Sequence, residues 1–311
     1  MTRVRIDNRE IRRDVHGRVV DAHDGSLEYF EGRFWWYGTA YGAHDGFTPD
    51  NDFVVYSSPD LSTWTPHGSI LPDRPQGMFY RPYVVRRPLT GDYVLWFNWM
   101  ERFWESRYGV AVSPSPAGPF SIVTETARIG HAQPGDLNLF VDDDGAGYLI
   151  YTSIAEKHGM SVERLTPDLL SSTLESSGVI SRGDEAPALF RREGVYYALF
   201  DSTCCFCPNG SGVKVYTAPA PLGLWTLQGN VNRRPADHPC GPEPVINAQQ
   251  AHVARVPTVD GPAFLWTGDR WGSRNDGIKG HDQQYWGLLE FTADGAVAPM
   301  RWVNEWTFTL P

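Results

Sequence analysis

The chain has 311 residues, of which 41% are hydrophobic and 21% are charged, proportions that are typical of a folded globular protein. Its 31 glycines, 24 prolines, 12 tryptophans, 14 tyrosines and 15 phenylalanines disfavour a helical bundle and favour pleated strands. A formal net charge of −10 leaves no basic surplus to neutralise a nucleic acid. No apolar run approaches the roughly 20 residues that a membrane-spanning helix needs.

The N-terminal segment, residues 1–18, is polar and lacks the apolar middle region of a secretory signal, so we expect a cytoplasmic location. The four cysteines, Cys204, Cys205, Cys207 and Cys240, are too few for a disulfide framework and do not have a standard zinc spacing. A cytoplasmic location favours reduced thiols. A Cys207–Cys240 bridge and an adventitious metal stay open as alternatives.

An aromatic strand that follows a glycine turn recurs five times. The glycines are Gly32, Gly91, Gly147, Gly194 and Gly261, and the intervals of 47 to 67 residues suit a three- or four-stranded sheet with its loops. Short apolar strands with this repeat predict an all-β, five-bladed β-propeller, with a β-sandwich as the alternative. No linker divides the chain, so we expect one domain, residues 1–311, with blades at 20–72, 80–124, 134–180, 183–230 and 247–308.

Polar residues occur 8 to 12 positions before each repeat glycine, ahead of the apolar first strand: Asp24, Arg81, Asp136, Glu185 and Gln249. The first strands of a propeller line its axis and run in one direction, so these side chains are expected to gather at one mouth of the channel. Converging carboxyls with different pKa values are the working groups of glycoside hydrolysis. A single Asp before a strand is more often a turn residue, but three acids at equivalent positions favour the catalytic interpretation.

At these residues the sequence resembles glycoside hydrolase family 43, whose members are five-bladed propellers. Residues 24–27 (Asp-Gly-Ser-Leu) resemble the base segment of that family, residues 136–145 its pKa-modulator segment, and residues 185–190 (Glu-Ala-Pro-Ala-Leu-Phe) its general-acid segment. The resemblance runs from about residue 20 to the C-terminus. It implies inverting hydrolysis with Glu185 as acid, Asp24 as base and Asp136 as the group that raises the pKa of Glu185, the reacting carboxyls lying roughly 6.5–9.5 Å apart. Asp21 is a fallback base.

Within the family, the chain is most similar to the exo-β-1,3-galactanase branch. The segments that carry this likeness are residues 22–23, 185–190, 204–209 and 266–271. Asp24 stands where that branch has Gly, and Tyr80 stands where it has a Glu. The branch uses a Gln of the last blade, which Gln249 resembles. For Gln249 we favour a substrate hydrogen bond over a structural or catalytic role, because a neutral amide is a poor proton acceptor.

Substrate contacts are expected from polar and aromatic residues near the carboxyls: Arg81, Gln249, Tyr80, His23, Arg270 and Trp271. An ion pair with Asp269 is an equal alternative for Arg270. Aromatic side chains on loops can present a ring face to a pyranose, and the candidates are Tyr41, Phe79, Trp104, Phe206 and Trp271. The strand residues Trp35, Trp36, Trp96 and Trp266 are expected in the core.

No cofactor is expected to be required, although the family resemblance leaves a structural calcium possible. His252, on the first strand of the fifth blade, is a weak candidate metal ligand, and a hydrogen-bonded core histidine is favoured. The segment Asp142-Asp143-Asp144-Gly145 is expected to be a hairpin turn instead of a metal loop.

The sequence therefore predicts an inverting, exo-acting glycoside hydrolase that releases terminal galactose-type residues (galactopyranose or galactofuranose) from plant-type oligosaccharides. An α-L-arabinofuranosidase or β-xylosidase of the same family is an alternative, because pocket shape selects the sugar. A non-catalytic sugar-binding propeller and a protein-interaction propeller are alternatives of other classes. The expected partner is an oligosaccharide, with neither a nucleic acid nor a membrane.

Overall fold

The computed structural model describes residues 1–238 and 243–311, and nearly all of its regular structure is β-strand. Five antiparallel sheets form five blades, and in each blade successive strands are hydrogen-bonded neighbours. This arrangement confirms the five-bladed β-propeller that the glycine repeat predicts. Among the described residues, the one helical element is a short 3₁₀ turn at Lys279–His281, and no helix has the length and apolar character needed to span a bilayer.

The strands are numbered in chain order, beginning with β1 (Thr2–Asp7), which lies outside the blades. The first blade contains β2 (Leu27–Phe30), β3 (Arg33–Ala40), β4 (Asp52–Ser58) and β5 (Thr65–Ser69). The second contains β6 (Met78–Arg86), β7 (Tyr93–Met100), β8 (Arg107–Ser113) and β9 (Ser121–Thr124). The third contains β10 (Pro134–Val141), β11 (Gly147–Ser153), β12 (Gly159–Leu165) and β13 (Ser172–Ser181).

The fourth blade contains β14 (Asp184–Arg192), β15 (Val195–Ser202), β16 (Lys214–Ala218) and β17 (Thr226–Asn230). The fifth has three strands, β18 (Gln249–Val256), β19 (Ala263–Arg270) and β20 (Gln283–Leu288). The last strand is β21 (Glu305–Leu310).

The sequence analysis expects the fifth blade to extend to residue 308. The end of the chain does not belong to that blade. Strand β21 instead pairs with β1 in a separate two-stranded sheet, in which Thr2 lies opposite Leu310. The apolar side chains of this sheet pack with Trp36 of the first blade and Trp286 of the fifth blade. The terminal sheet therefore covers the junction where the first and last blades meet.

The core lies between neighbouring blades. Because side chains alternate along a strand, Trp36 of β3 faces the fifth blade while Trp35 and Tyr37 face the second blade. Both faces of β3 are thus buried, which explains its almost continuous aromatic sequence. The four strand tryptophans expected in the core, Trp35, Trp36, Trp96 and Trp266, are all buried. Burying one apolar side chain the size of Leu or Phe stabilises a fold by about 1.5–3 kcal/mol.

The first strands β2, β6, β10, β14 and β18 surround the axis and begin at the same end of the molecule, which we call the site face. Hydrogen bonds connect residues near their starts across blades, whereas their last residues line a cavity at the other end. The connections between the second and third strands return to the site face. These connections are residues 41–51, 101–106, 154–158, 203–213 and 271–282.

Candidate active site

β-Bulges position most of the polar residues that the sequence singles out. In four blades the first strand begins earlier than expected, so that Arg81, Asp136, Glu185 and Gln249 lie within it and not before it. The pairing register shifts between Tyr80 and Tyr83, Pro134 and Leu137, Glu185 and Ala188, and Gln250 and His252. A bulge changes the direction of nearby side chains, so these residues leave the regular pleat and reach the axis.

Asp24 precedes β2, as expected, and the residue is only 5% exposed. Its Oδ1 accepts hydrogen bonds from Thr39 Oγ1 at 2.6 Å and from the backbone N–H of Arg81 at 3.2 Å. Among the residues that the structure describes, Oδ2 accepts one hydrogen bond, from the Tyr41 hydroxyl at 2.6 Å. Burial raises the pKa of Asp24 to about 6, although the charge of Arg81 and the hydroxyl donors act against the rise. Oδ2 therefore retains a lone pair that can accept a proton.

The backbone at Asp24 adopts a left-handed conformation, with φ at 52°. A non-glycine residue in this region costs about 1 kcal/mol or more, so the surroundings must fix it. The backbone N–H of Asp24 donates to Asp269 Oδ2 at 2.7 Å. Asp269, at the end of β19, thus holds the carboxylate-bearing turn in place.

His23 does not lie on the surface of the site, where the sequence analysis expects it. Its ring is fully buried, and Nδ1 donates to Asp269 Oδ1 at 2.9 Å. Burial acts to lower the pKa of His23, but the hydrogen bond and the charge of Asp269 outweigh it and raise the pKa to about 9. The imidazolium is therefore a buried counter-charge for Asp269. Asp21, the fallback base, instead accepts the backbone N–H groups of Tyr41 and the following glycine.

Glu185 is buried in β14, and both of its hydrogen bonds among the described residues go to Oε1. The donors are the backbone N–H of Cys204 at 2.8 Å and Gln249 Nε2 at 2.9 Å. Burial and then the negative charge of Asp136 raise the pKa of Glu185 to about 7, while Cys204, Arg81 and Gln249 act in the opposite direction. Oε2 is left as the oxygen that can donate a proton to a substrate.

Asp136 and Arg81 form a partly buried ion pair between the proposed acid and base. Arg81 Nη2 lies 3.1 Å from Asp136 Oδ2, and the same oxygen accepts the backbone N–H of Ala186 at 3.0 Å. Because Ala186 follows Glu185, Asp136 fixes the backbone beside that carboxyl. The backbone N–H of Arg81 contacts Asp24, so this residue connects the two halves of the site. The structure thus brings together the four charged residues expected there.

Gln249 uses both ends of its amide within the protein. Its Nε2 donates to Glu185 Oε1, and its Oε1 accepts the Trp271 Nε1–H at 2.8 Å. The sequence analysis favours a direct hydrogen bond to substrate for Gln249 and a ring contact with the sugar for Trp271. The structure instead shows a buried chain from Trp271 through Gln249 that orients the Glu185 carboxyl.

Arg270 points away from the carboxyls, contrary to the expected substrate contact. Its Nη1 donates to Gln283 Oε1 at 2.8 Å, and the guanidinium lies 4.8 Å from the ring centre of Trp302. Successive residues of a strand project to opposite faces, so Asp269 faces the site while Arg270 faces outward. The alternative ion pair with Asp269 is also absent from the described residues.

The loop aromatics proposed as sugar platforms occupy different positions. Phe79 is fully buried and belongs to the core. Tyr41 is also buried, and its hydroxyl donates to Asp24. Tyr80 is buried with its ring centre 4.8 Å from that of Phe47. Phe206 is partly buried, whereas Trp104 is exposed.

His252 has the environment of a hydrogen-bonded histidine. Its Nδ1 accepts from Asn138 Nδ2 at 2.9 Å, and its Nε2 lies 3.2 Å from Glu28 Oε1. The ring faces a cavity of about 1050 Å³ at the end of the axis opposite the site face. Within residues 1–238 and 243–311, no three His, Cys, Asp or Glu side chains are grouped to hold a metal ion. Both ring nitrogens of His252 thus have partners within the protein, and a structural calcium stays a possibility raised by the family resemblance alone. Asp142 and Gly145 form the expected hydrogen-bonded turn.

Two cysteines differ from the expected reduced state. Cys204 and Cys207 form a disulfide, while Cys205 between them is free and exposed. The tight turn brings the Cα atoms of the pair to 5.6 Å, within the range that permits a bridge. Cys240, the other partner considered for Cys207, lies outside the described residues. The bridge closes the turn whose first N–H group donates to Glu185.

The sequence analysis gave no role in the site to polar residues near the ends of the second strands. Thr39, Asn98, Asp201 and Asp269 lie directly opposite or beside the first-strand site residues, with Asp201 opposite Glu185 and Asp269 opposite Gln249. Asp201 is fully buried, accepts the backbone N–H of Gln250 at 2.7 Å, and has a pKa that burial raises well above its usual value. All four follow the repeat glycine by seven or eight positions, so the same repeat could have identified them.

Comparisons with known proteins place this chain in a family. Residues 19–267 match the family model described as glycosyl hydrolases family 43. A β-D-galactofuranosidase of Aspergillus niger is 30% identical over 232 residues, which cover 67% of this chain and 65% of that protein. An arabinoxylan arabinofuranohydrolase of Paenibacillus polymyxa is 26% identical over 239 residues, covering 61% of this chain and 36% of that protein. The chain thus spans less than two thirds of the length of either curated relative.

Solved structures show the same propeller. An exo-β-1,3-galactanase from Clostridium thermocellum has a TM-score of 0.81 and 26% identity, with 94% of this chain and 64% of that chain covered. A family 43 β-1,3-galactosidase solved with galactodeoxynojirimycin has a TM-score of 0.83 and 23% identity, with 97% and 99% covered. Taken with the family model, which spans more than half of the sequence, these findings show that the chain belongs to glycosyl hydrolase family 43.

Proposed function

We propose that this protein is an exo-acting, inverting glycoside hydrolase that releases terminal galactose-type residues, galactopyranose or galactofuranose, from plant-type oligosaccharides. The observation that carries the proposal is the pair of buried carboxyls, Asp24 and Glu185, held on one face in different environments. The galactofuranosidase and galactanase among the similar proteins support a galactose-type substrate. The oligosaccharide is the only partner that the proposal requires.

Glu185 is the proposed general acid. With a pKa of about 7, it keeps a proton under mildly acidic and neutral conditions in which an ordinary glutamate would be ionised. Its Oε2 donates this proton to the glycosidic oxygen while the bond from that oxygen to the anomeric carbon breaks. Asp136 supports the step because its negative charge disfavours ionisation of Glu185 and its Oδ2 holds the adjacent backbone at Ala186.

Asp24 is the proposed general base. A water molecule attacks the anomeric carbon from the face opposite the leaving group, and Asp24 Oδ2 accepts the proton that this water loses. The sugar product is a hemiacetal of inverted configuration, and the leaving group departs as an alcohol. Asp24 ends the turnover protonated and Glu185 ends it ionised, so a proton exchange with solvent restores both groups.

Arg81 and Gln249 are proposed to position the two reacting carboxyls. The Arg81 side chain binds Asp136, while its backbone N–H orients Asp24. Gln249 fixes Oε1 of Glu185 and is itself fixed by Trp271. Neither residue has to donate or accept a proton in the reaction.

An α-L-arabinofuranosidase or β-xylosidase activity is the second candidate, and the arabinofuranohydrolase relative favours it. The same acid and base would act, since the shape of the pocket selects the sugar. The test is a panel of nitrophenyl galactopyranoside, galactofuranoside, arabinofuranoside and xyloside. We expect the fastest turnover with a galactoside, and faster turnover of a pentoside would replace galactose as the substrate.

The stereochemistry of the reaction is tested with the substrate that the panel selects. Proton NMR of the first anomer formed should show inversion, and a retained configuration would contradict the role of Asp24. Glu185→Gln should abolish most turnover of an oligosaccharide with the same terminal sugar, whose leaving group needs the acid, while sugar binding persists. A wild-type protein that binds these sugars without hydrolysing any of them would be a sugar-binding module instead of an enzyme.

A further inference from the structure

Two large aromatic side chains are exposed on the site face. Phe103 is 53% exposed and Trp104 is 58% exposed, and no other Phe or Trp among the described residues is as exposed. Both lie in the connection 101–106 between β7 and β8, with their ring centres 4.7 Å apart. Exposed aromatic surface is unfavourable in water, and a contiguous patch of it commonly marks a binding site.

The pair is continuous with the candidate active site through a band of aromatic rings. The ring centre of Phe103 lies 6.4 Å from that of Phe47, which in turn lies 4.8 Å from Tyr80. Tyr80 precedes Arg81, whose guanidinium binds Asp136. The band thus leads from the charged residues of the site to the exposed pair at its rim.

The backbone at Trp104 is held in an unusual conformation. Its φ is 72°, in the left-handed region that bulky residues rarely adopt. Such a conformation persists only where the surrounding structure enforces it, and it is common at ligand-binding positions. In this conformation the Trp104 indole is exposed to solvent, although most tryptophan side chains are largely buried.

We propose that Phe103 and Trp104 form a platform for the sugar residues on the leaving-group side of the bond that is cleaved. This inference rests on the proposed exo-acting hydrolase function. An exo-acting enzyme holds one terminal residue in its pocket, so every sugar outside the pocket belongs to the leaving group. The occupant of the platform is therefore the second or third residue of an oligosaccharide.

The surroundings of the pair suit a carbohydrate. A ring face can cover the apolar face of a pyranose, and charged groups at the margin can hydrogen-bond to its hydroxyls. Arg107 lies 3.6 Å from Glu101, and Arg102 lies 3.8 Å from Glu105, so both signs of charge border the platform. These balanced charges favour a neutral polyhydroxylated ligand over a strongly charged one.

The test compares a substrate that reaches the platform with one that does not. The substrates are β-1,3-galactotriose and methyl β-D-galactopyranoside, with release of galactose measured for each. The variants are Trp104→Ala, Trp104→Phe and Phe103→Ala. Leu89→Ala is the matched control, because Leu89 is an exposed apolar residue in the same blade on the connection between β6 and β7, at the other face.

We expect Trp104→Ala to lower the ratio of kcat/KM for the trisaccharide to kcat/KM for the methyl glycoside about tenfold, mainly through KM. Trp104→Phe should retain most of the ratio, because it retains a ring, and Leu89→Ala should not change it. Equal kcat/KM losses on both substrates, or no loss on either, would overturn the platform while leaving the hydrolase proposal intact. If the wild-type protein hydrolyses no glycoside of the panel, the proposed function fails, and the platform proposal fails with it.

Discussion

Asp136→Asn offers a sharp test of how the pKa of Glu185 is set. Asp136 Oδ2 accepts hydrogen bonds from Arg81 Nη2 and from the backbone N–H of Ala186. The amide oxygen of an asparagine can accept both, so the substitution removes a negative charge and keeps the shape. Because the charge of Asp136 raises the pKa of Glu185 and the charge of Arg81 lowers it, the variant should have a lower pKa at Glu185.

The expected size of this decrease follows from the surroundings of Asp136. A charge within about 4–6 Å typically changes a pKa by about 1–3 units. The effect should lie at the low end, because the Asp136 side chain is 15% exposed and Arg81, at 3.1 Å, neutralises part of its charge. We therefore expect a decrease of about one unit, which corresponds to about 1.4 kcal/mol.

The acid must be protonated to act, so its pKa appears as the alkaline limb of the pH profile of kcat/KM. A decrease from about 7 to about 6 lowers the protonated fraction at pH 7 from about one half to about one tenth. The assay is galactose release from an unactivated disaccharide between pH 4 and pH 9. Asp143→Asn is the control, since that side chain is 76% exposed and lies at the other end of the same blade.

If the alkaline limb of the Asp136→Asn profile moves to higher pH or does not move, the proposed influence of Asp136 on Glu185 is refuted. An equal displacement in Asp143→Asn would show that overall protein charge causes the change. Circular dichroism and thermal unfolding of both variants establish that the fold is retained.

Three further outcomes are expected. The wild-type kcat/KM plotted against pH should be bell-shaped with its maximum between about pH 6 and about pH 7, because the base must be ionised and the acid protonated. A value of kcat/KM that still rises at pH 9 would contradict this. Replacing Cys204 and Cys207 with serine should loosen the turn that donates to Glu185 and move the alkaline limb to higher pH, opposite to Asp136→Asn, as measured by the same assay. Gly25→Ala should lower both the melting temperature and the activity, because the added Cβ would lie 2.2 Å from a backbone carbonyl oxygen of β3. Gly46→Ala, whose Cβ would make only ordinary contacts, should change neither. Calorimetry and rate measurements of the two variants test this.

The repeat in the sequence was sufficient to predict the propeller because it is a property of local pattern. A glycine turn followed by an aromatic strand recurs once per blade, and inter-blade packing requires both faces of that strand to be apolar. Convergence of the charged residues followed from the symmetry of the fold. The pairing of β21 with β1 could not be predicted in this way, because it joins the two ends of the chain outside the repeat.

Side-chain directions were the part of the site that the sequence did not reveal. They depend on bulges, which alter the alternation that sequence patterns assume. Arg270 and His23 were both expected at the sugar, yet one faces outward and the other is buried behind Asp24. The hydrogen bonds that occupy Gln249 depend on neighbours from other blades, which spacing along one chain does not specify. The cytoplasmic location stays a prediction.

The division of roles between Glu185 and Asp24 is the central claim, and leaving-group dependence tests it most directly. The measurement compares Glu185→Gln and Asp24→Asn on two substrates that share one sugar, a nitrophenyl glycoside and a disaccharide. Asparagine suits position 24 because it tolerates the left-handed backbone there.

A general acid contributes typically about 10²–10⁴-fold, and most where the leaving group is a poor one. Glu185→Gln should therefore lose far more activity on the disaccharide than on the nitrophenyl glycoside, whereas Asp24→Asn should lose similar factors on both. The reverse pattern, with Asp24→Asn sensitive to the leaving group and Glu185→Gln indifferent to it, would contradict the assignment.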